Sequence, residues 1–236
     1  MAATGAGEEE EEVKLLGMWS SQFVARARVA LNVKGVGYEF LEETFAGKSE
    51  LLLKSNPVYG KMPVLIHGGR PICESMIIVQ YVDEAWASRR PSILPRAPHD
   101  RALARFWAVF IDDKWIRSLF GILIARTDDA KAEATRQVVA GLQLLEEVYE
   151  REFKGRAFFG GDNIGYLDIA LGCNLGWIGV ISRVCDVELL DEDKTPQLVG
   201  WAERFRSDDA VRGVIPETDQ FVEVAEVVRV KLRMMM

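Results

Sequence analysis

Over the first third of the chain, short apolar runs alternate with helically spaced ones. VKLLGM (13–18) is a continuous apolar run of strand length. FVARARVALNVKG follows it, with Val24, Ala27 and Leu31 at helical spacing and Gly35 placed to end the helix. YEFLEE (38–43) alternates as a strand does, and KSELLLKSNP (48–57) predicts a short helix stopped by Pro57. MPVLIHGGRPICES (62–75) predicts a hairpin turning at Gly68-Gly69, and SMIIVQYVDEAW (75–86) an apolar-faced helix. This order implies a parallel strand pair in the first βαβ unit and an antiparallel pair in the hairpin.

The texture then changes. ASRRPSILPRAP (87–98) has three prolines and no period, which marks a linker. Beyond it the pattern is helical almost throughout: 99–125, 128–155, 165–185, 196–207 and 217–232. The segment 165–185 is apolar nearly all round and predicts one central helix. Residues 1–12 end in five glutamates and read as a solvated acidic tail, and the terminal MMM as a frayed end. The expected division is a tail (1–12), a small α/β domain (13–86), a linker (87–98) and an all-helical domain (99–236).

Composition narrows the function classes. With 236 residues, 49% of them hydrophobic, the chain can bury a substantial core. A net charge of −7 argues against a general nucleic-acid binder. The N-terminus has neither a basic start nor an apolar stretch, so no signal peptide is expected. No uninterrupted apolar run reaches the roughly 18 residues of a membrane span, so no membrane insertion is expected. Cys73, Cys173 and Cys185 form an odd, scattered set and read as free thiols in a reducing, cytoplasmic setting. His67 and His99 are the only histidines, and neither CxxC nor HExxH occurs. Structural zinc and a Ser-His-Asp triad therefore lack their residues.

The candidate chemistry starts at WSSQF (19–23), where a strand gives way to a helix. Ser20 or Ser21 can cap that helix. A hydroxyl there can also donate to an anion, helped by the helix-start amides, and would favour a bound thiolate over its thiol. ICES places Glu74 and Ser75 at a second strand-to-helix junction, which reads equally as an ordinary helix start. Cys73, in the strand beside Glu74, reads as a small buried apolar residue. In NIGYLD (163–168) the cap position is Gly165, so Asp168 alone can take the helix-start amides, a structural role.

Taken in order, WSSQF, SNPVYGKMPVL, PICES and FFGGDNIGYLDIAL resemble the glutathione transferases. LLGMW, KSELLLKSNPV and CESMIIVQYVDE resemble most the plant tau class, and the likeness covers about 13–232. The resemblance implies an α/β thioredoxin-like N-terminal domain followed by an all-α domain. It also implies a stress-responsive detoxification enzyme, with glutathione as co-substrate, no tightly bound cofactor and a homodimeric assembly. By resemblance, the catalytic serine is Ser21, between Trp19 and Phe23. Glu74 would meet the γ-glutamyl ammonium, and Ser75 with the helix-start amides the neighbouring carboxylate. A cis bond before Pro63 would present Met62 to the cysteinyl backbone, and Lys48 and Lys61 would face the glycyl carboxylate. The hydrophobic electrophile would lie among Phe23, Phe45, Ile116, Phe120, Leu123, Trp177, Val224 and Val228, each of which could equally be core packing.

Two positions depart from the family. Gln22 stands where proline usually follows the serine, and Tyr59-Gly60-Lys61 stands where HKK is frequent. The first implies retuned or reduced activity, the second one basic residue fewer at the glycyl end. The leading expectation is conjugation of glutathione to hydrophobic electrophiles, with reduction of organic hydroperoxides by the same thiolate as a side activity. The alternative is a non-catalytic carrier of apolar metabolites, which Gln22 and Gly60 encourage. A thiol reductase ranks third, because position 21 is not cysteine.

Overall fold

The structure is a computed structural model describing residues 11–45, 47–89 and 91–234. Residues 1–10 of the expected tail and the last two methionines lie outside the described residues. Glu11 and Glu12 are exposed; Glu12 pairs with Lys14 at 3.1 Å.

The first half folds as β1 (Val13–Gly17), α1 (Gln22–Val33), β2 (Glu39–Glu42), α2 (Glu50–Ser55), β3 (Val64–His67), β4 (Arg70–Cys73) and α3 (Ser75–Ala85). The sheet order is β2-β1-β3-β4, with β1 and β2 parallel and the other pairs antiparallel. Because successive strand residues face opposite ways, Leu15 joins the main core with Val24, Ala27 and Val79. Leu16 instead joins a small cluster with Leu52 of α2 and Val64. The expected boundaries hold to within two residues. Gly35 follows α1 at φ +61°, a left-handed backbone that a glycine adopts without cost.

The described residues of the segment 87–97 form neither helix nor strand. Asp83 of α3 fixes it, accepting from the Ile93 and Leu94 amides at 2.9 Å each and pairing with buried Lys34 at 2.8 Å. Burial works to raise the Asp83 carboxyl, but the two amides and the Lys34 ammonium outweigh it and hold it below the usual carboxylate range.

The second half is α4 (Pro98–Phe110), a π-helical turn (Ile111–Trp115), α5 (Ile116–Ile124), α6 (Asp128–Phe153), α7 (Tyr166–Gly172), α8 (Leu175–Cys185), α9 (Pro196–Ser207) and α10 (Thr218–Met234). The run 99–125 is helical as expected, with a π turn that adds a residue and brings Asp112 to Arg26. One expectation needs correction. The run 165–185 is two helices. Between them Asn174 is fully buried, and its Nδ2 donates to the Ala170 and Leu171 carbonyl oxygens at 2.9 and 3.1 Å, competing with helical amides. By length and composition Tyr166–Cys185 could cross a membrane, but 78% of its most apolar 18-residue stretch is buried within the protein.

Asp168 exceeds the capping role expected of it. Its carboxylate accepts from the Phe159, Gly160 and Gly165 amides (2.8–2.9 Å) and from the Trp201 indole (2.7 Å), tying the 158–161 loop, α7 and α9 together. Complete burial raises this carboxyl to about 6, against the pull of those four donors. Asp168→Ala strands four donors and is expected to cost about 3 kcal/mol or more. Urea titration reads this directly; a stable, soluble variant that lost only catalytic rate would contradict the structural role.

Candidate active site

Strand register gathers the candidate residues at one end of the sheet. Leu16 pairs with Val64, so the chain beyond β1 runs beside the Met62–Pro63 turn that precedes β3. Val64 pairs with Cys73, which sets Glu74 and Ser75 on the far side of that turn. Gly17 pairs with Glu42, so the loop carrying Lys48 leaves from the same end.

Ser21 caps α1: its Oγ accepts from the Val24 amide at 3.4 Å, on an extended backbone (φ −86°, ψ 119°). Capping uses a lone pair and leaves the O–H free, and among the described residues it meets no acceptor. Ser20 beside it is buried, and its carbonyl accepts from the Trp177 indole of α8 at 3.1 Å. The turn is thus held from the helical half.

At the second junction Glu74 is exposed, with φ at +72°. Ser75 is buried, and its Oγ accepts from Arg26 at 3.3 Å. Arg26 is fully buried and bonds both oxygens of Asp112 (3.0 and 2.6 Å) and the Ala170 carbonyl oxygen (2.8 Å). Sequence reasoning passed it over. The available signal was a cation inside an apolar helix, three residues after Phe23 and four before Ala30.

The Met62–Pro63 peptide bond is cis. Asn56 shapes the approach: its Nδ2 donates to the Lys61 carbonyl oxygen (2.8 Å) and its Oδ1 accepts from the Tyr59 amide (3.2 Å). Buried Glu43 accepts from the Ser49 amide at 3.0 Å and also from its hydroxyl, which orders the loop bearing Lys48. Lys48 and Lys61 are exposed. Burial, then Glu74, pushes the Cys73 thiol up, making it a poor nucleophile.

Beside Ser21 a cleft of about 390 Å³ opens between the sheet end and the helical half. Phe23, Phe45, Ile116, Phe120, Trp177 and Val228 line it, together with Met18, Gln22, Arg117 and Leu232, which were not among the residues expected there. Leu123 and Val224 do not line it. Leu123 is 2% exposed in the core, and Val224 packs on that core, each about a turn from a residue that does line the cleft.

The glutathione S-transferase N-terminal domain family matches residues 11–84, and its C-terminal domain family residues 128–204. Glutathione S-transferase U18 of Arabidopsis thaliana is 55% identical across 91% of this chain and 95% of its own. The tau class glutathione S-transferase of mango, Mangifera indica, superposes with a TM-score of 0.89 at 56% identity, over 92% of this chain and 98% of its own. The chain belongs to the tau class of the glutathione S-transferases. A rice glutathione S-transferase solved in complex with glutathione superposes with a TM-score of 0.84 at 35% identity, over 94% of this chain and 98% of its own.

In this transferase the indole of Trp177 connects the helical half to the Ser21 turn. Trp177→Phe keeps the ring contacts with Phe120 and Phe221 but removes the bond to Ser20. Stability should fall by about 1 kcal/mol, and kcat/KM by about tenfold as the turn loosens. Urea titration and steady-state kinetics measure the two; an unchanged kcat/KM would show that the turn holds without the indole.

Proposed function

We propose that the protein conjugates the glutathione thiolate to hydrophobic electrophiles, with Ser21 stabilising the thiolate. The observation carrying this reading is the Ser21 hydroxyl, its proton unengaged, at the start of α1 and on the wall of an apolar-lined cleft. The hydroxyl donates to the sulfur, and the α1 start adds partial positive charge. In conjugate addition the S–C bond forms at the β-carbon, the alkene electron pair moves toward the activating carbonyl, and solvent supplies the α-proton. In aromatic substitution halide leaves. With a hydroperoxide the thiolate takes one oxygen and expels alkoxide, and a second glutathione turns the sulfenic acid into disulfide and water.

Glu74 meets the γ-glutamyl ammonium. Ser75 accepts from Arg26, so its own proton is left for the γ-glutamyl carboxylate. Met62 main-chain groups pair with the cysteinyl backbone, and Lys48 and Lys61 face the glycyl carboxylate. Three free thiols accord with a cytoplasmic, reducing setting.

In Ser21→Ala the bound thiol should titrate as it does free in buffer, and turnover of an activated aryl halide should fall about a hundredfold. Ultraviolet absorbance of the thiolate against pH measures the first. A wild-type complex whose thiol already ionises as in buffer would remove the mechanism.

The same reading includes a homodimer. Ile77 of α3 and Phe106 and Val109 of α4 are 55–60% exposed, and the Arg105–Gln80 bond (2.9 Å) sets the two helices side by side. A second copy would cover that strip. Sedimentation should give twice 26.5 kDa, and Ile77→Glu with Val109→Glu the single mass; a wild-type monomer would overturn it.

A further inference from the structure

The cleft beside Ser21 has two cations at its walls and rim, and among the described residues neither has an acidic partner. Arg117 lines it from α5, next to Ile116 and one turn from Phe120. It is exposed and makes no hydrogen bond or ion pair among the described residues. Lys231 of α10 stands at the rim, donating to the Phe45 carbonyl oxygen at 3.1 Å and lying 4.4 Å from the Phe45 ring centre. Both of those partners are neutral. Among the described residues no carboxylate lines the cleft, although the chain as a whole carries −7. The remaining walls are chiefly apolar and aromatic. The charge borne by the lining side chains is therefore positive in a chain that is net negative.

We propose that this cleft selects electrophiles whose apolar body carries a carboxylate, and that Arg117 is the residue that recognises it. The inference rests on the conjugation reading above and names its substrate class. With the reacting carbon toward Ser21, the body lies along Phe120, Trp177 and Val228, and the carboxylate reaches the open side where Arg117 stands. A guanidinium presents a planar fork of N–H donors matched to two carboxylate oxygens, and this one need not leave another partner to engage it. Its exposure makes the gain modest and sensitive to salt. An apolar cleft alone would take neutral molecules of the same shape equally well.

The probes are two S-alkyl conjugates of glutathione, one with its alkyl tail ending in a carboxylate and one in the methyl ester of that carboxylate. Titration calorimetry compares them on wild type, Arg117→Met and Arg117→Lys. The wild type should bind the acid about fivefold more tightly than the ester. Arg117→Met should lose that preference, Arg117→Lys should retain part of it, and added salt should erode it. Equal binding of acid and ester by the wild type overturns this inference alone. A preference that survives Arg117→Met removes Arg117 as its source. Failure of both conjugates to bind defeats the conjugation reading, and this inference with it.

Discussion

One buried cation organises the junction of the two halves. Arg26 leaves α1 with no exposure to solvent and spreads its guanidinium over Asp112 of the π turn, the Ala170 carbonyl oxygen of α7 and Ser75 at the start of α3. Phe23 lies 5.2 Å from the guanidinium carbon and completes the enclosure. An isolated charge at such depth would be strongly destabilising. Nearly every donor must therefore be met, and only one arrangement of α1, α3, α7 and the π turn meets them; Nε alone lacks a partner. Such a contact contributes more to uniqueness than to net stability, because desolvation offsets most of its Coulomb attraction. It fixes how the helical half sits over the sheet end, and so where the cleft opens relative to Ser21.

Local chemistry made much of this legible in the sequence. The Gly68-Gly69 turn, the apolar runs of β1 and β3, the Gly35 stop and the serine ahead of α1 each act within a few residues. Those elements appear within a residue or two of their expected ends. What escaped depends on partners far along the chain. Arg26 and Asp112 are 86 residues apart, and the π turn that aims Asp112 has no signature in IDDKW. The break after Gly172 comes from a buried Asn174 amide and from Gly172 packing so closely on Phe205 that a side chain there would overlap the ring. Helical spacing also cannot separate a cleft wall from a core position one turn away, which is why Leu123 and Val224 were grouped with Phe120 and Val228.

Capping and the proposed chemistry would not compete at Ser21, because they use opposite ends of one hydroxyl. The oxygen accepts from α1, which orients it, and the proton stays available. Behind it, Ser20 is fastened through its carbonyl to Trp177, whose ring packs on Phe120 and Phe221. One side chain thus shapes the apolar wall and steadies the polar turn. In the proposed reaction, binding of the electrophile and placement of the sulfur would be mechanically linked for that reason.

The two departures from the family pattern fit this geometry in different ways. Gln22, where proline is frequent, is the first residue of α1; it is buried and touches the cleft. The stiffness a proline would supply at that turn comes instead from the cap bond and the indole. At Gly60 the backbone is left-handed (φ +55°), and its amide donates to the Asn56 carbonyl oxygen at 2.7 Å. A side chain there would be strained, and its first carbon would lie 3.5 Å from the Lys48 ammonium. Replacing a lysine by glycine removes one charge but leaves that ammonium room beside the turn. On this reading the glycyl carboxylate depends on Lys48 and Lys61 acting from a tighter loop, with fewer charges and less freedom to lose on binding.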